Sequence, residues 1–101
     1  MTDRELLELA AKGAGIKSYR FGDAVYPHSH VWTPLTDDGD ALLLAVRLNL
    51  TIKIMGDHVK VGWRGCGAQW IGEEAPLPSE LPAATRRAIV RAAAEIGRKH
   101  D

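Results

Sequence analysis

Thr51-Ile52-Lys53-Ile54-Met55-Gly56-Asp57-His58-Val59-Lys60-Val61-Gly62-Trp63-Arg64 is the stretch that decides the fold. Two runs alternate apolar with polar on either side of Gly56-Asp57, and that pair is a two-residue hairpin turn. The turn fixes the register: Ile54 faces Val59, Ile52 faces Val61, and Leu50 extends the series toward Trp63. All six are apolar and share one face, so turn and pattern agree. The opposite face carries Lys53, His58, Lys60 and Arg64. Lys53 stands directly across from Lys60, and like charges opposed on a sheet call for a compensating anion. A nearby carboxylate such as Glu73 or Glu74, a subunit partner or a phosphate would serve. The plain alternative is a solvated face of long amphipathic side chains.

Upstream of the hairpin lies Trp32-Thr33-Pro34-Leu35-Thr36-Asp37-Asp38-Gly39-Asp40, followed by an apolar run from Ala41 to Leu50. Pro34 holds Thr33 extended. Thr36 or Asp37 can cap a helix, and the acidic side chains suit the positive end of its dipole. On a wheel of 100° per residue, Leu42, Leu43, Leu44, Ala45, Val46 and Leu48 spread around the whole circumference. Asp40 and Arg47 leave only a narrow polar stripe. This pattern predicts a helix buried in the core, or between the core and a second subunit. Asp37-Asp38-Gly39-Asp40 lacks the alternation and the twelfth-position Glu of a calcium loop, because that position is Leu48.

Farther upstream, Thr2 with Glu5 forms a capping box ahead of a Leu- and Ala-rich helix over about Asp3 to Lys12, with Gly13 and Gly15 as stop signals. Ile16 to Phe21 and Ala24 to Trp32 read as two strands around Gly22-Asp23, the second interrupted or made an edge by Pro27. His28 and His30 fall on one face of that strand. They can supply two zinc ligands, with Asp23, His58 or Cys66 completing a tetrahedral set. They are half a site, and two surface histidines on an edge strand is the simpler account.

Downstream, Gly65-Cys66-Gly67 is a loop or bulge. Ala68 to Gly72 is expected as a third strand of the meander with Trp70 inward, and Trp32 and Trp63 are also expected in the core. Pro76 and Pro78 stiffen a short connector. Ser79 or a neighbour caps a last helix, with Pro82 in its first turn and Ala83 to Lys99 as its body. Ile89, Val90, Ala93, Ile96 and Gly97 form its buried stripe. Arg87, Arg91 and Arg98 lie on the flank of that stripe, where they could follow a phosphate backbone or simply solvate the helix.

The chain of 101 residues is read as one domain, expected to bury roughly 60–65% of its unfolded surface. The fold class is α+β: a mostly antiparallel sheet of four to five strands sandwiched between helices, in the order α-β-β-α-β-β-β-α. Lys plus Arg equals Asp plus Glu at 13 each, so non-specific nucleic-acid binding is not its main business. A single cysteine, Cys66, excludes an internal disulfide and fits a reducing compartment. Nothing marks Cys66 as a thiolate. No signal-peptide pattern and no apolar run of spanning length is present, so a cytoplasmic protein without membrane attachment is expected.

Two stretches carry a family resemblance: Trp32 to Ala41 with its apolar helix, and Ala84-Thr85-Arg86-Arg87-Ala88-Ile89-Val90-Arg91-Ala92-Ala93-Ala94-Glu95-Ile96-Gly97. With the capped N-terminal helix they resemble the phage ABA sandwich domain family, small proteins encoded by bacteriophages and prophages. The resemblance covers nearly the whole chain, except for Lys17 to His30 and the Gly65-to-Glu74 loop. It implies a sheet sandwiched between helices and a phage or prophage origin, hence the cytoplasm of a bacterial host. It implies no activity and no catalytic residue. The chain has no G-x-S-x-G, P-loop, H-E-x-x-H or paired C-x-x-C. The expectation is therefore a non-enzymatic accessory protein without a cofactor. It binds a host or phage protein and acts as a homodimer. An anionic, nucleotide-like ligand on the Lys53/His58/Lys60/Arg64 face is the second reading, and nucleic acid on Arg87, Arg91 and Arg98 the third.

Overall fold

A computed structural model of the chain describes residues 2–16 and 32–99. The order is α1 (Asp3–Ala14), α2 (Asp38–Arg47), β1 (Thr51–Ile54), β2 (His58–Gly62), β3 (Ile71–Glu74), a 3-10 turn (Pro78–Glu80) and α3 (Leu81–Arg98). The class is α+β, with three helices and a three-stranded antiparallel sheet in the order β1-β2-β3 among the described residues. The strands expected between Ile16 and Trp32 lie almost wholly outside the described residues. So do Asp23, His28 and His30, and with them the candidate zinc site. Among the described residues no helix is long and apolar enough to cross a membrane.

The hairpin has the register its turn dictates: Ile54 pairs with Val59, Lys53 with Lys60, and Ile52 with Val61. Gly56 takes φ +89° at the first central position, as a type II′ turn requires, and the Met55 N–H closes it on the His58 carbonyl at 2.9 Å. The pairing ends at Thr51 with Gly62, so Leu50 and Trp63 lie beyond the ladder. The third strand is Ile71–Glu74, later than the expected Ala68 to Gly72. Two turns intervene, at Gly65 (φ +90°) and Gly67 (φ +62°), and they consume the residues assigned to the strand's start.

α1 begins on the capping box. The Thr2 hydroxyl accepts from the Glu5 N–H at 3.1 Å, and the Thr2 N–H donates to the Glu5 carboxylate at 3.1 Å. That Thr2 N–H bond first, and then the Thr2 hydroxyl, which donates to the same carboxylate at 3.0 Å, hold the exposed Glu5 carboxyl below its usual 4.5. A carboxyl lowered on folding contributes stability that is complete above its unfolded pKa and lost as pH falls through the lowered folded value. Glu5→Gln is therefore expected to make the acid limb of stability shallower below about pH 5. Urea unfolding at pH 3 and pH 7 checks this, and an unchanged pH dependence would count against it.

α1 runs to Ala14 and stops at Gly15 (φ +74°), two residues later than expected. Gly13 is no stop signal. It lies inside the helix, where α1 crosses α3: a Cβ at Gly13 would sit 2.5 Å from the Ala93 carbonyl oxygen, and one at Gly97 would sit 1.9 Å from the Leu9 carbonyl oxygen. The two glycines let the backbones touch. Packing centres on α3, on which α1, α2, β2 and β3 all rest. Ala84, Ala88, Ile89, Val90, Ala92, Ala93, Ala94 and Gly97 are buried there, and small residues allow neighbours to approach from several sides. Of the expected stripe only Ile96 is half-buried. No side chain caps α3. Ser79 lies in the preceding 3-10 turn, where the Glu80 carboxylate accepts from the Leu77 N–H at 2.9 Å.

α2 is shorter and less buried than its composition predicts. Asp37 caps it, accepting from the Asp40 N–H at 2.8 Å. Asp40 is not on an exposed polar stripe: it is buried and accepts from the Thr33 N–H at 2.8 Å, tying the incoming chain to the first turn. The helix ends at Arg47, whose Nε donates to the Ala14 carbonyl at 3.1 Å, a cation stabilising the C-terminal end of α1. Ala41, Leu44 and Ala45 are buried against the core, whereas Leu42, Leu43 and Val46 face outward. The helix buried on all sides is thus corrected to a helix with one buried face. The reason is architectural: α3 supports one side of α2, and no other described element covers the second.

Candidate functional site

α3 packs beneath β2 and β3, whereas β1, at the edge of the described sheet, meets the core through Ile52 and leaves Ile54 exposed. Ile52 and Ile54 of that strand face α2 across open space. The result is a groove of about 440 Å³, within the usual size range of ligand sites. Ala41 and Leu42 of α2 form one wall and Ile52 and Ile54 of β1 the other, while Leu81, Pro82 and Ile89 of α3 close the floor and end. Leu42 (61% exposed), Leu43 (55%), Val46 (64%) and Ile54 (59%) continue the apolar character onto the surface. Met55 follows Ile54, and Leu77 precedes the groove residue Pro78; both are exposed.

Charge is confined to one rim. Arg86 donates through Nη1 to the Asp38 carboxylate at 2.6 Å and through Nε to the Leu35 carbonyl at 2.9 Å. This pair locks the start of α2 to α3 and leaves the groove interior without an ionisable group. Such a site can desolvate an apolar side chain or an amphipathic segment.

The basic hairpin face is assembled in part. Lys53 and Lys60 do stand opposite each other, with His58 across from Glu74 on β3. Arg64 does not join them; it lies beyond β2 in the turn that leads to Cys66. His58 Nδ1 lies 2.7 Å from the Asp57 carboxylate, and this hydrogen bond is the main cause that holds the exposed Asp57 carboxyl below its usual range. Trp70 is on this outer face, not in the core. A Cβ at Gly62 would meet its ring at 2.7 Å, so the indole lies directly on the glycine, and the Lys53 ammonium sits 4.9 Å from the ring centroid. The cation–π contact gives Lys53 a partner of its own. Glu73 turns inward instead and pairs with Arg91.

The three arginines of α3 are likewise engaged. Arg87 reaches Asp3 at 3.3 Å, Arg91 bonds Glu73 and the Gly72 carbonyl, and Arg98 lies 3.7 Å from Glu95. They line a second, smaller groove of about 290 Å³ with Leu6 and Ile71, but each brings a carboxylate with it. Phosphate contacts along this stripe would have to displace those partners. Cys66 is buried: its Sγ accepts from the Trp63 N–H at 3.4 Å and braces the turn. Among the described residues no group of three or more His, Cys, Asp and Glu side chains is placed to hold a metal ion.

The apolar groove was not among the sequence-predicted sites. Its signal was present in α2, where apolar residues exceed what one buried face needs, but its other walls come from distant parts of the chain. No protein-family model, curated protein or solved structure matches this chain.

Proposed function

We propose that this chain is a non-enzymatic, phage- or prophage-encoded accessory protein of the bacterial cytoplasm that works by holding another protein. The groove between α2, β1 and α3 is its interaction surface, and the working form is a homodimer. The fuller fold, a four- to five-stranded sandwich in the order α-β-β-α-β-β-β-α, belongs to the same proposal. The observation that carries it is the groove itself: apolar walls, more than half-exposed aliphatic residues on its lips, and a single neutralised ion pair at its rim. Aliphatic side chains in water gain roughly 1 kcal/mol each when half their surface is covered. An apolar centre with a polar rim is the anatomy of a protein interface.

A photoreactive amino acid at Leu42, introduced in the bacterial host, tests this. It is expected to give a discrete protein adduct that disappears on adding Ile54→Asp. The same probe at Glu8, exposed on α1, is the control. Equal adduct yields at Leu42 and Glu8 would reject the groove as an interaction surface.

A further inference from the structure

We propose that the groove and the outer face of α2 bind a second copy of this chain, the two α2 helices lying antiparallel about a two-fold axis through their midpoint. This rests on the groove being an interaction surface and names its occupant.

α2 is self-complementary in that arrangement. At 100° per residue, Gly39, Leu42, Leu43 and Val46 fall within about 100° of each other, on the side turned away from the core. All four are exposed. The midpoint of Asp38–Arg47 lies between Leu42 and Leu43. A two-fold axis there sets Leu42 against the partner's Leu42 and Leu43 against the partner's Leu43. It brings Val46 level with the partner's Gly39, whose missing side chain leaves a notch for a branched one. Volume and notch sit equally far from the midpoint on opposite sides, as an isologous contact requires.

The helix dipoles select the same direction: antiparallel packing opposes them, whereas a parallel pair aligns like with like. The side-chain charges of α2 are engaged within the chain, Asp38 with Arg86, Asp40 with the Thr33 N–H and Arg47 with the Ala14 carbonyl.

Exposed apolar area points the same way. Leu42, Leu43, Val46, Ile54, Met55 and Leu77 are each more than half exposed. Together they present on the order of 600 Å² of largely apolar surface, against the ~800 Å² that each partner of a standard interface buries.

The experiment is light scattering on the purified full chain during size-exclusion chromatography. At about 50 μM, a micromolar Kd leaves most chains paired, and the expected mass is twice the 11.0 kDa of one chain. Val46→Asp and Leu43→Asp are expected to give single chains with an unchanged far-ultraviolet spectrum, since neither side chain is buried. Filling the notch with Gly39→Leu is expected to weaken the dimer at least tenfold. Leu42→Cys is expected to form a disulfide-linked dimer on oxidation, and Glu8→Cys is not. A single-chain mass for the native protein, or a dimer that both aspartate variants leave intact, overturns the inference. A Leu42 photo-adduct with a different protein, given by a chain that is monomeric when pure, overturns it while leaving the groove as an interaction surface. Loss of that adduct as well removes both.

Discussion

Gly97→Ala is expected to destabilise the protein by ~3 kcal/mol or more, the upper range of overpacking costs. Alanine normally gains about 1 kcal/mol over glycine within a helix, so the sign itself is informative. The added Cβ would stand 1.9 Å from the Leu9 carbonyl oxygen and 3.0 Å from the Gly13 nitrogen. Both are backbone atoms of α1 and cannot rotate aside. α1 must therefore back away from α3 along the crossing, loosening Leu6, Ala10 and Ala93 together. A domain of this size has about 5–15 kcal/mol of stability, and each kcal/mol corresponds to roughly 4–8 °C in Tm. Thermal melting is the measurement. A Gly97→Ala protein that melts with the native one would mean that the helices do not cross in contact.

Leu44→Ala is expected to cost about 3 kcal/mol, and Leu43→Ala no more than ~0.5 kcal/mol. The two residues are neighbours of identical chemistry, 1% and 55% exposed respectively. Removing a buried Leu side chain loses its transfer free energy and leaves a cavity, whereas an exposed one contributes little. Urea denaturation of the two variants at low concentration, where chains are separate, distinguishes a one-faced α2 from an all-round buried one. Equal large losses would restore the fully buried helix.

That pair also marks the boundary of what the sequence disclosed. The hairpin register from Ile52 with Val61 to Ile54 with Val59 was legible, because a two-residue turn and period-two alternation constrain it independently. The cap of α1 was legible because its partners are three residues apart. The burial of α2 was not: a helical wheel reports which side chains would gain from burial but not which neighbours exist to bury them. Leu42, Leu43 and Val46 face outward because α3 is already occupied by α1 and the sheet. Trp70 was misplaced for a related reason. Large aromatics are usually inside, and the overlooked signal was Gly62, since a glycine within a strand marks a close approach. The pairing of the α3 arginines had no local trace, as Arg87 meets Asp3 across 84 residues. The groove draws on α2, β1 and α3, so no single stretch announces it.

The contact between α1 and α3 also governs when the molecule can form during synthesis. Gly13 is made 80 and 84 residues before Ala93 and Gly97, the surface it fits. Until then α1 has no mate, and β2 and β3 have no helix to cover them. Closing so long a loop comes before the reward of contact, which slows folding. Until α3 is made, the nascent chain must carry an unsatisfied hairpin and a bare, Leu-rich helix, with the opportunity for premature association that such a wait brings.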